Sequence, residues 1–155
     1  MKYEKCSEGE VEQYLRFLEK RFGIPRNIFR KLSFFKRGKN IWIFSGDPAL
    51  LNHVINVEAA GIRFLTITKK FMKPSTTFLQ IFGKYASKNV VELRDEEELI
   101  EFMTGGLIKR EFDAEKGFVI VKFRDNVLGC GLYSEIGLLS QIPKSKRIDK
   151  RWLEK

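Results

Sequence analysis

The feature that most constrains the fold is a series of short apolar segments, separated by tight turns, in the last third of the chain. The first segment covers residues 117–123, and the second follows a turn at Asp125-Asn126 and covers residues 127–133. A third segment, residues 138–142, is stopped by Pro143. Strands that are so closely spaced pair with their neighbours, and the pattern is typical of a small barrel rather than a parallel sheet.

The preceding sequence mixes helix and strand patterns. Ser7 and Glu10 form an S-x-x-E capping box at the start of a predicted helix over residues 8–22, which Gly23 and Pro25 end. Other patterns predict, in order, a β-hairpin at 32–35 and 41–44, a strand at 63–68, a helix at about 75–87, a strand at 89–93 and a short helix capped by Asp95 and ended by Gly105-Gly106.

These elements predict an α+β protein made of two units. The change to β-rich sequence falls near residue 88, so we expect an N-terminal α/β domain at 1–88 and a small mixed β-barrel at 89–155. A hydrophobic fraction of 43% and an aromatic fraction of 13% are typical of a folded chain rather than a disordered one.

The net charge of +9 favours a polyanionic partner, of which nucleic acid is the commonest in the cytosol. An anionic membrane would call for a basic amphipathic helix or a lipidation site, and the sequence has neither. No apolar run reaches the roughly 20 residues of a membrane span, and the charged start, from Met1, is unlike a signal peptide. We therefore expect a cytoplasmic protein without a membrane partner, although surplus lysine also serves solubility alone.

The basic residues are concentrated in tracts that have few acids. Residues 26–39 and 59–91 contain no Asp or Glu, and residues 144–151 carry five basic side chains against Asp149. This segregation predicts a basic face for a phosphate backbone, unless the lysines point in many directions and only solvate the fold. Phe71, beside lysines, could stack on an unpaired base or belong to the core.

The sequence offers little for catalysis. A phosphate-binding glycine loop is missing, and His53 is the single histidine. Cys6 and Cys130 lie far apart, and we expect Cys130, between two glycines of a predicted strand, to be a buried, inert thiol. We therefore expect a protein that is not an enzyme and that holds neither a cofactor nor a metal.

A family resemblance rests on residues 117–121, 127–131 and 139–144, with Arg147. They resemble the PUA-like C-terminal domain of the Nol/Nop/Fmu family, which includes cytosine-methylating ribosomal RNA methyltransferases. Residues 71–75 are similar to the segment that these domains carry before their helix, so the resemblance covers about the last 90 residues.

The sequence departs from the family in three ways. The family often has an aromatic residue where Cys130 stands and a lysine near Tyr133. Neither cysteine stands in the Pro-Cys or Thr-Cys context of the catalytic motifs, and the methyltransferase half is missing. The resemblance therefore implies a free-standing RNA-binding module.

The whole arrangement is also similar to the small Nip-seven-type ribosome-biogenesis factors. It implies a pre-PUA-like N-terminal domain followed by a PUA-like barrel. The partners that follow are RNA, either ribosomal or transfer RNA, and proteins of ribosome assembly or RNA modification. Two alternatives stay open: a divergent enzyme or partner subunit of a separate methyltransferase, and a scaffold that binds an acidic protein.

The resemblance also implies where RNA would lie. PUA domains hold RNA against their first helix, the glycine loop after it and neighbouring strand ends. In this chain the corresponding residues, with the basic residues that extend the surface, are Gly105, Gly106, Lys109, Arg110, Lys144, Lys146, Arg147, Lys69, Lys70 and Lys73.

Overall fold

The computed structural model describes residues 3–46 and 61–149. Within these ranges the chain forms two five-stranded sheets and three α-helices. His53 lies outside the described residues, so its predicted structural role stays a prediction. The elements are β1 (Glu4–Lys5), α1 (Glu8–Phe22), β2 (Ser33–Arg37), β3 (Asn40–Phe44), β4 (Ile62–Ile67), β5 (Met72–Pro74), α2 (Thr76–Phe82), β6 (Val90–Leu93), α3 (Glu96–Met103), β7 (Leu107–Ile108), β8 (Gly117–Phe123), β9 (Asn126–Ser134) and β10 (Gly137–Ser140), with 3-10 helices at Arg26–Phe29, Gly83–Tyr85 and Lys144–Lys146.

Helix α1 begins at the predicted capping box. The Ser7 hydroxyl accepts a hydrogen bond from the Glu10 amide at 3.1 Å, and the Glu10 carboxylate accepts one from the Ser7 amide at 2.9 Å. The two bonds satisfy amide groups that the first turn leaves without a helical partner. Gly23 ends the helix with a φ of 66°, a left-handed conformation that glycine adopts without a steric cost.

The N-terminal sheet is antiparallel throughout, in the order β1-β2-β3-β4-β5. Its core is aromatic: Phe64 and Phe78 are fully buried, their ring centroids lie 4.7 Å apart, and Phe29 packs on both. Leu18 and Phe22 of α1 are equally buried. Each of these side chains contributes about 2–3 kcal/mol by leaving water, so α1 is held to the sheet mainly by apolar contact.

The C-terminal sheet has the order β6-β8-β9-β10-β7 and curls into a half-barrel. Its strands pair antiparallel except β6 and β8, which are parallel from Val90 opposite Ile120 to Leu93 opposite Phe123. The sheet is mixed, as predicted, but among the described residues β6 and β7 are its unpaired edges. Because these two edge strands do not pair with each other, the sheet does not close into a complete barrel. In sequence, helix α3 connects one edge strand to the other.

The predicted boundary near residue 88 is crossed by shared packing. Ile120 and Cys130, from the C-terminal sheet, belong to the same buried cluster as Phe78 and Leu79. Across the same boundary, the Arg21 guanidinium donates to the Phe118 carbonyl at 2.8 Å. The division into domains 1–88 and 89–155 stays a prediction.

Most predicted elements are confirmed, with two kinds of difference. The predicted helix over 75–87 ends at Phe82 and continues as a 3-10 turn. The strands β1, β5 and β7 were not predicted, because they have two or three residues each, too few to show an alternating pattern. Among the described residues, no helix is both long enough and apolar enough to cross a membrane.

Candidate nucleic-acid interface

A cleft runs between strands β3–β5 and the segment that follows β10. It consists of two adjoining cavities, of about 350 and about 440 Å³, which share Asn40, Arg63, Ser75, Thr76 and Pro143 in their walls. We call these two cavities together the cleft. The smaller one is also lined by Lys39, Thr66, Thr68, Phe71, Lys73, Pro74 and Gln141, and the larger one by Trp42, Gly61, Ile62, Thr77, Ser145 and Lys146.

The cleft is basic. Lys39, Arg63, Lys73 and Lys146 contribute to its walls, and no Asp or Glu of the described ranges does. None of the four forms an ion pair with a carboxylate in the part of the chain that the structure describes. Within that part their charges are not neutralised, and low-dielectric walls focus the field of charges that line a cleft.

Strand register positions the polar side chains of the smaller cavity. Asn40 on β3 pairs with Thr66 on β4, and Thr66 pairs with Lys73 on β5, so the three residues form a row across the sheet. The Thr66 hydroxyl donates to Asn40 Oδ1 at 2.9 Å. Lys73 Nζ donates to Gln141 Oε1 at 2.7 Å, which connects this row to the other wall of the cleft.

The larger cavity is bridged by a second lysine. Lys146 Nζ donates to the Thr77 hydroxyl at 2.7 Å. The two walls of the cleft are thus connected twice, by Lys146 in the larger cavity and by Lys73 in the smaller one, and in both cases the ammonium group binds a neutral oxygen. A lysine that donates to a neutral oxygen has lost little of its attraction for an anion, because the bond leaves its full charge uncompensated.

An exposed aromatic ring stands at the smaller cavity. Phe71 keeps 42% of its surface exposed although its ring contacts Phe118 edge-on at 5.4 Å. Lys73 Nζ lies 5.8 Å from the Phe118 centroid. Phe71 is therefore not a core residue, which excludes one of the two alternatives that the sequence left open. Its exposed ring is accessible to an aromatic ligand.

The predicted site residues fall into several places. Lys73 and Lys146 line the cleft, as described. Lys69 and Lys70 are exposed in the turn between β4 and β5, which the Thr68 hydroxyl braces by accepting from the amides of Lys70 and Phe71. Lys144 is exposed at the start of the 3-10 helix that carries Lys146.

Gly105 and Arg147 adjoin each other. Gly105 has a φ of 91°, and a Cβ added to it would lie 2.6 Å from Arg147 Nε. Arg147 Nε in turn donates to the Ile142 carbonyl at 2.9 Å, so glycine at 105 makes room for this arginine. Gly106 donates its amide to the Glu101 carbonyl at 2.8 Å and lies against that side chain, which is a helix-end role.

Lys109 and Arg110, at the end of β7, differ from each other. Lys109 is exposed. Arg110 binds the Glu98 carboxylate through two bonds, of 2.6 and 2.9 Å, and its guanidinium lies 3.8 Å from the Phe112 ring centroid. Because its charge is matched by a nearly buried carboxylate, Arg110 has a structural contact in this fold, and its assignment to RNA stays a prediction.

Sequence reasoning missed Lys39, Asn40, Arg63, Thr66 and Gln141 as residues of one site. Three of them, Lys39, Arg63 and Thr66, stand in the acid-free tracts, and only the two basic residues carried that signal. Their grouping depends on the pairing of β3 with β4 and on the position of the chain after β10.

Neither cysteine has the surroundings of a nucleophile. Burial raises the pKa of the Cys130 thiol to about 12 and that of the Cys6 thiol to about 11, so both are protonated near neutral pH. Among the described residues, no group of three or more His, Cys, Asp or Glu side chains stands close enough to hold a metal.

The curled mixed sheet β6-β8-β9-β10-β7, with α3 connecting its edges, is compatible with a PUA-like domain. Residues 88–148 match the family described as "Methyltransferase RsmF PUA domain". These residues are a PUA-like domain of the Nol/Nop/Fmu family, and the resemblance seen in the sequence is thereby confirmed for them.

Two relatives extend the similarity to the N-terminal half. The chain is 29% identical over 140 residues to "Ribosomal RNA small subunit methyltransferase F" of Aeromonas salmonicida (strain A449). It is 27% identical over 136 residues to the protein of the same name from Aeromonas hydrophila subsp. hydrophila. Each match covers 87% of this chain, and the chain spans 27% of the length of each relative.

Proposed function

We propose that the protein binds RNA along the cleft and that this binding serves the modification of ribosomal RNA. The observation that carries the proposal is the set of four basic residues, Lys39, Arg63, Lys73 and Lys146, around a cleft whose described lining has no acid. A phosphate backbone needs such unpaired cations, because its binding is driven largely by the release of counterions.

Outside the cleft the described basic residues are of two kinds. Arg16, Arg26, Lys36 and Arg110 are each within 4 Å of a carboxylate, and Arg26 binds two. Others, such as Lys84 and Lys109, form no ion pair among the described residues, as is also true of the four cleft cations. What distinguishes the cleft is that four such cations line one concave surface, where a partner with negative charge can contact several of them at once.

The comparisons favour RNA over an acidic protein as that partner. The PUA-like domain belongs to a family of ribosomal RNA methyltransferases, and both relatives carry ribosomal RNA in their names. We therefore propose that the natural ligand of this chain is the RNA of the small ribosomal subunit. An exposed aromatic ring beside the cations, Phe71, is a further feature of RNA sites.

The test is the salt dependence of RNA binding. The double variant Arg63→Gln with Lys73→Gln should bind RNA more weakly and flatten the plot of log affinity against log salt. The slope should decrease by about 1.4 for single-stranded RNA, since each phosphate contact contributes about 0.7. Fluorescence anisotropy with labelled RNA between 50 and 300 mM salt measures both quantities.

A matched control separates the cleft from net charge. The double variant Arg30→Gln with Lys84→Gln removes the same two charges from exposed positions that lie outside the cleft lining and form no ion pair among the described residues. It should leave the slope unchanged. An equal loss in both double variants would mean that only total charge matters, and no loss in the cleft variant would exclude this surface as the RNA site.

A second role, as the non-catalytic partner of a methyltransferase, is favoured by the lengths of the relatives. The chain matches about a quarter of the length of proteins named as methyltransferases, and we infer that the matched part does not itself carry out methyl transfer. The two buried thiols agree with a non-catalytic chain. Transfer of a labelled methyl group from S-adenosylmethionine to RNA by this protein alone would exclude that role.

A further inference from the structure

We infer that the smaller cavity of the cleft holds one unpaired nucleotide and prefers a base with carbonyl oxygens, uracil or guanine, to adenine. The inference rests on the proposed function and states which RNA the cleft accepts. It follows from the size of the cavity, from the ring at its edge and from the direction of the hydrogen-bonding groups in its wall.

The size points to a single nucleotide. A cavity of about 350 Å³ is at the lower end of the range for small-molecule sites. A paired base would enter such a space only at the cost of its pairing and stacking, whereas an unpaired base in a loop or at an end can be turned outward into it more easily. The cations Lys39, Arg63 and Lys73 surround the same cavity and can meet the phosphates on either side of that nucleotide.

Phe71 provides the stacking surface. It lines the cavity and is 42% exposed, while its edge-on contact with Phe118 fixes the orientation of its ring. Bases stack on such rings in single-strand binding proteins, and each stacked base contributes a five- to hundredfold increase in affinity. A ring that is already held in place loses little freedom when the base arrives.

The amide groups determine the base preference. Asn40 Oδ1 accepts from the Thr66 hydroxyl, and Asn40 Nδ2 has no hydrogen-bond partner among the described residues, so it can donate. Gln141 offers no free group, because its Oε1 accepts from Lys73 and its Nε2 donates to the carbonyls of its own segment. Asn40 Nδ2, Arg63 and the lysines thus present N–H donors, which suit the carbonyl oxygens of uracil and guanine and cannot accept from the amino group of adenine, whereas the hydroxyls of the wall can donate or accept.

The test compares RNA nine-mers of A9, U9, and A9 with its central base replaced by U or by G. We expect U9 to bind at least fivefold more tightly than A9, and each single replacement to recover part of that difference. A hairpin duplex of equal charge should bind more weakly than U9. Equal binding of A9 and U9, or preference for the duplex, would overturn the inference.

Two variants locate the preference. Asn40→Asp keeps the oxygen that accepts from Thr66 and replaces the N–H donor by an acceptor, so the ratio of U9 to A9 affinity should fall toward one or invert. A change of charge alone would weaken both RNAs equally and leave the ratio unchanged, which would overturn the assignment of Asn40. Phe71→Ala should weaken U9 at least fivefold, whereas Phe71→Tyr should keep its affinity.

The inference and the proposed function fail in different ways. If the cleft variant Arg63→Gln with Lys73→Gln weakens all RNAs but no base preference exists, the cleft is an RNA site without a nucleotide pocket. If that variant binds every RNA as the unchanged protein does, both are wrong.

Discussion

Arg110 and Glu98 form a two-point ion pair at the C-terminal half-barrel: Arg110 Nε lies 2.6 Å from Glu98 Oε2, and Nη2 lies 2.9 Å from Oε1. The Glu98 carboxylate also accepts from the Arg94 amide at 2.9 Å and is only 7% exposed. The pair connects the first turn of α3 to the end of β7. A basic residue that the family resemblance assigned to RNA is thus part of the fold.

Replacing Glu98 by Gln should destabilise the protein by about 2–3 kcal/mol. The change leaves the Arg110 guanidinium, whose side chain is only 26% exposed, without its anion. Urea unfolding followed by circular dichroism measures the loss of free energy of unfolding. Glu97→Gln, an exposed position on the same helix, is the control and should change stability by less than about 0.5 kcal/mol. Similar values for the two variants would contradict the structural function of the pair.

The contribution of Glu98 should also depend on pH. Hydrogen bonding from Arg110 lowers the pKa of the Glu98 carboxyl in the folded state. A lowered folded pKa stabilises the protein above the unfolded pKa of about 4.3, and the stabilisation is lost as the pH falls through the folded value. The stability difference between the unchanged protein and Glu98→Gln should therefore be constant from pH 7 to about 5 and shrink below about 4.3. A difference that grows in acid would have the wrong sign.

Asn89 holds the junction between α1 and the C-terminal sheet. Its Nδ2 donates to the Arg21 carbonyl at 2.7 Å, its Oδ1 accepts from the Glu115 amide at 2.9 Å, and its φ is 53°. Asn89→Ala loses both bonds and adds left-handed strain, so we expect a loss of about 2–4 kcal/mol in denaturant unfolding. Asn89→Gly loses the same bonds without that strain and should be less damaging. An alanine variant as stable as the glycine variant would show that the conformation is unimportant.

The two thiols should resist alkylation in the folded protein. Both are buried, and their pKa values of about 11 and about 12 leave little thiolate at pH 8. Iodoacetamide at pH 8 should modify both cysteines quickly in urea and neither on the same timescale in buffer, as mass spectrometry would show. Cys6, at 7% exposure against 1% for Cys130, should react first on longer incubation. Rapid labelling of Cys130 in the folded state would contradict its burial.

The two predicted domains should unfold together. Ile120 and Cys130 of the C-terminal sheet are buried in one cluster with Phe78 and Leu79, and Arg21 bonds to the Phe118 carbonyl. We expect a single thermal transition, with coincident near- and far-ultraviolet circular dichroism curves. A fragment of residues 89–155 would expose the cluster and should bind a hydrophobic dye more strongly than the whole protein. Two separate transitions would favour independent domains instead.

Local patterns predicted the regular elements because they depend on neighbouring residues. The capping box at Ser7, the cap at Asp95 and the strand at residues 117–123 each occur where the sequence predicted them. The sequence patterns did not predict the strands of two or three residues, because so short a segment carries no periodicity. The parallel pairing of β6 with β8 was also not predicted, since it depends on the path of α3 between them.

The candidate site was predicted in part, for a physical reason. Charge segregation along the chain indicated that lysines such as Lys73 and Lys146 would meet a polyanion, but linear sequence does not say which cations are already neutralised. Arg110 and Lys109 are adjacent in sequence, yet one is bound to Glu98 and the other is exposed.

The sequence by itself determined the helices and the longer strands, the PUA-like character of the C-terminal part and the excess of positive charge, because these depend on local periodicity, capping and composition. Only the tertiary structure decided that Asn40, Thr66 and Lys73 form one row and that Gln141 faces them across a cleft. Asn40 and Gln141, which line the same cavity, are 101 positions apart in sequence, and such proximity depends on how whole sheets pack, which no local pattern specifies.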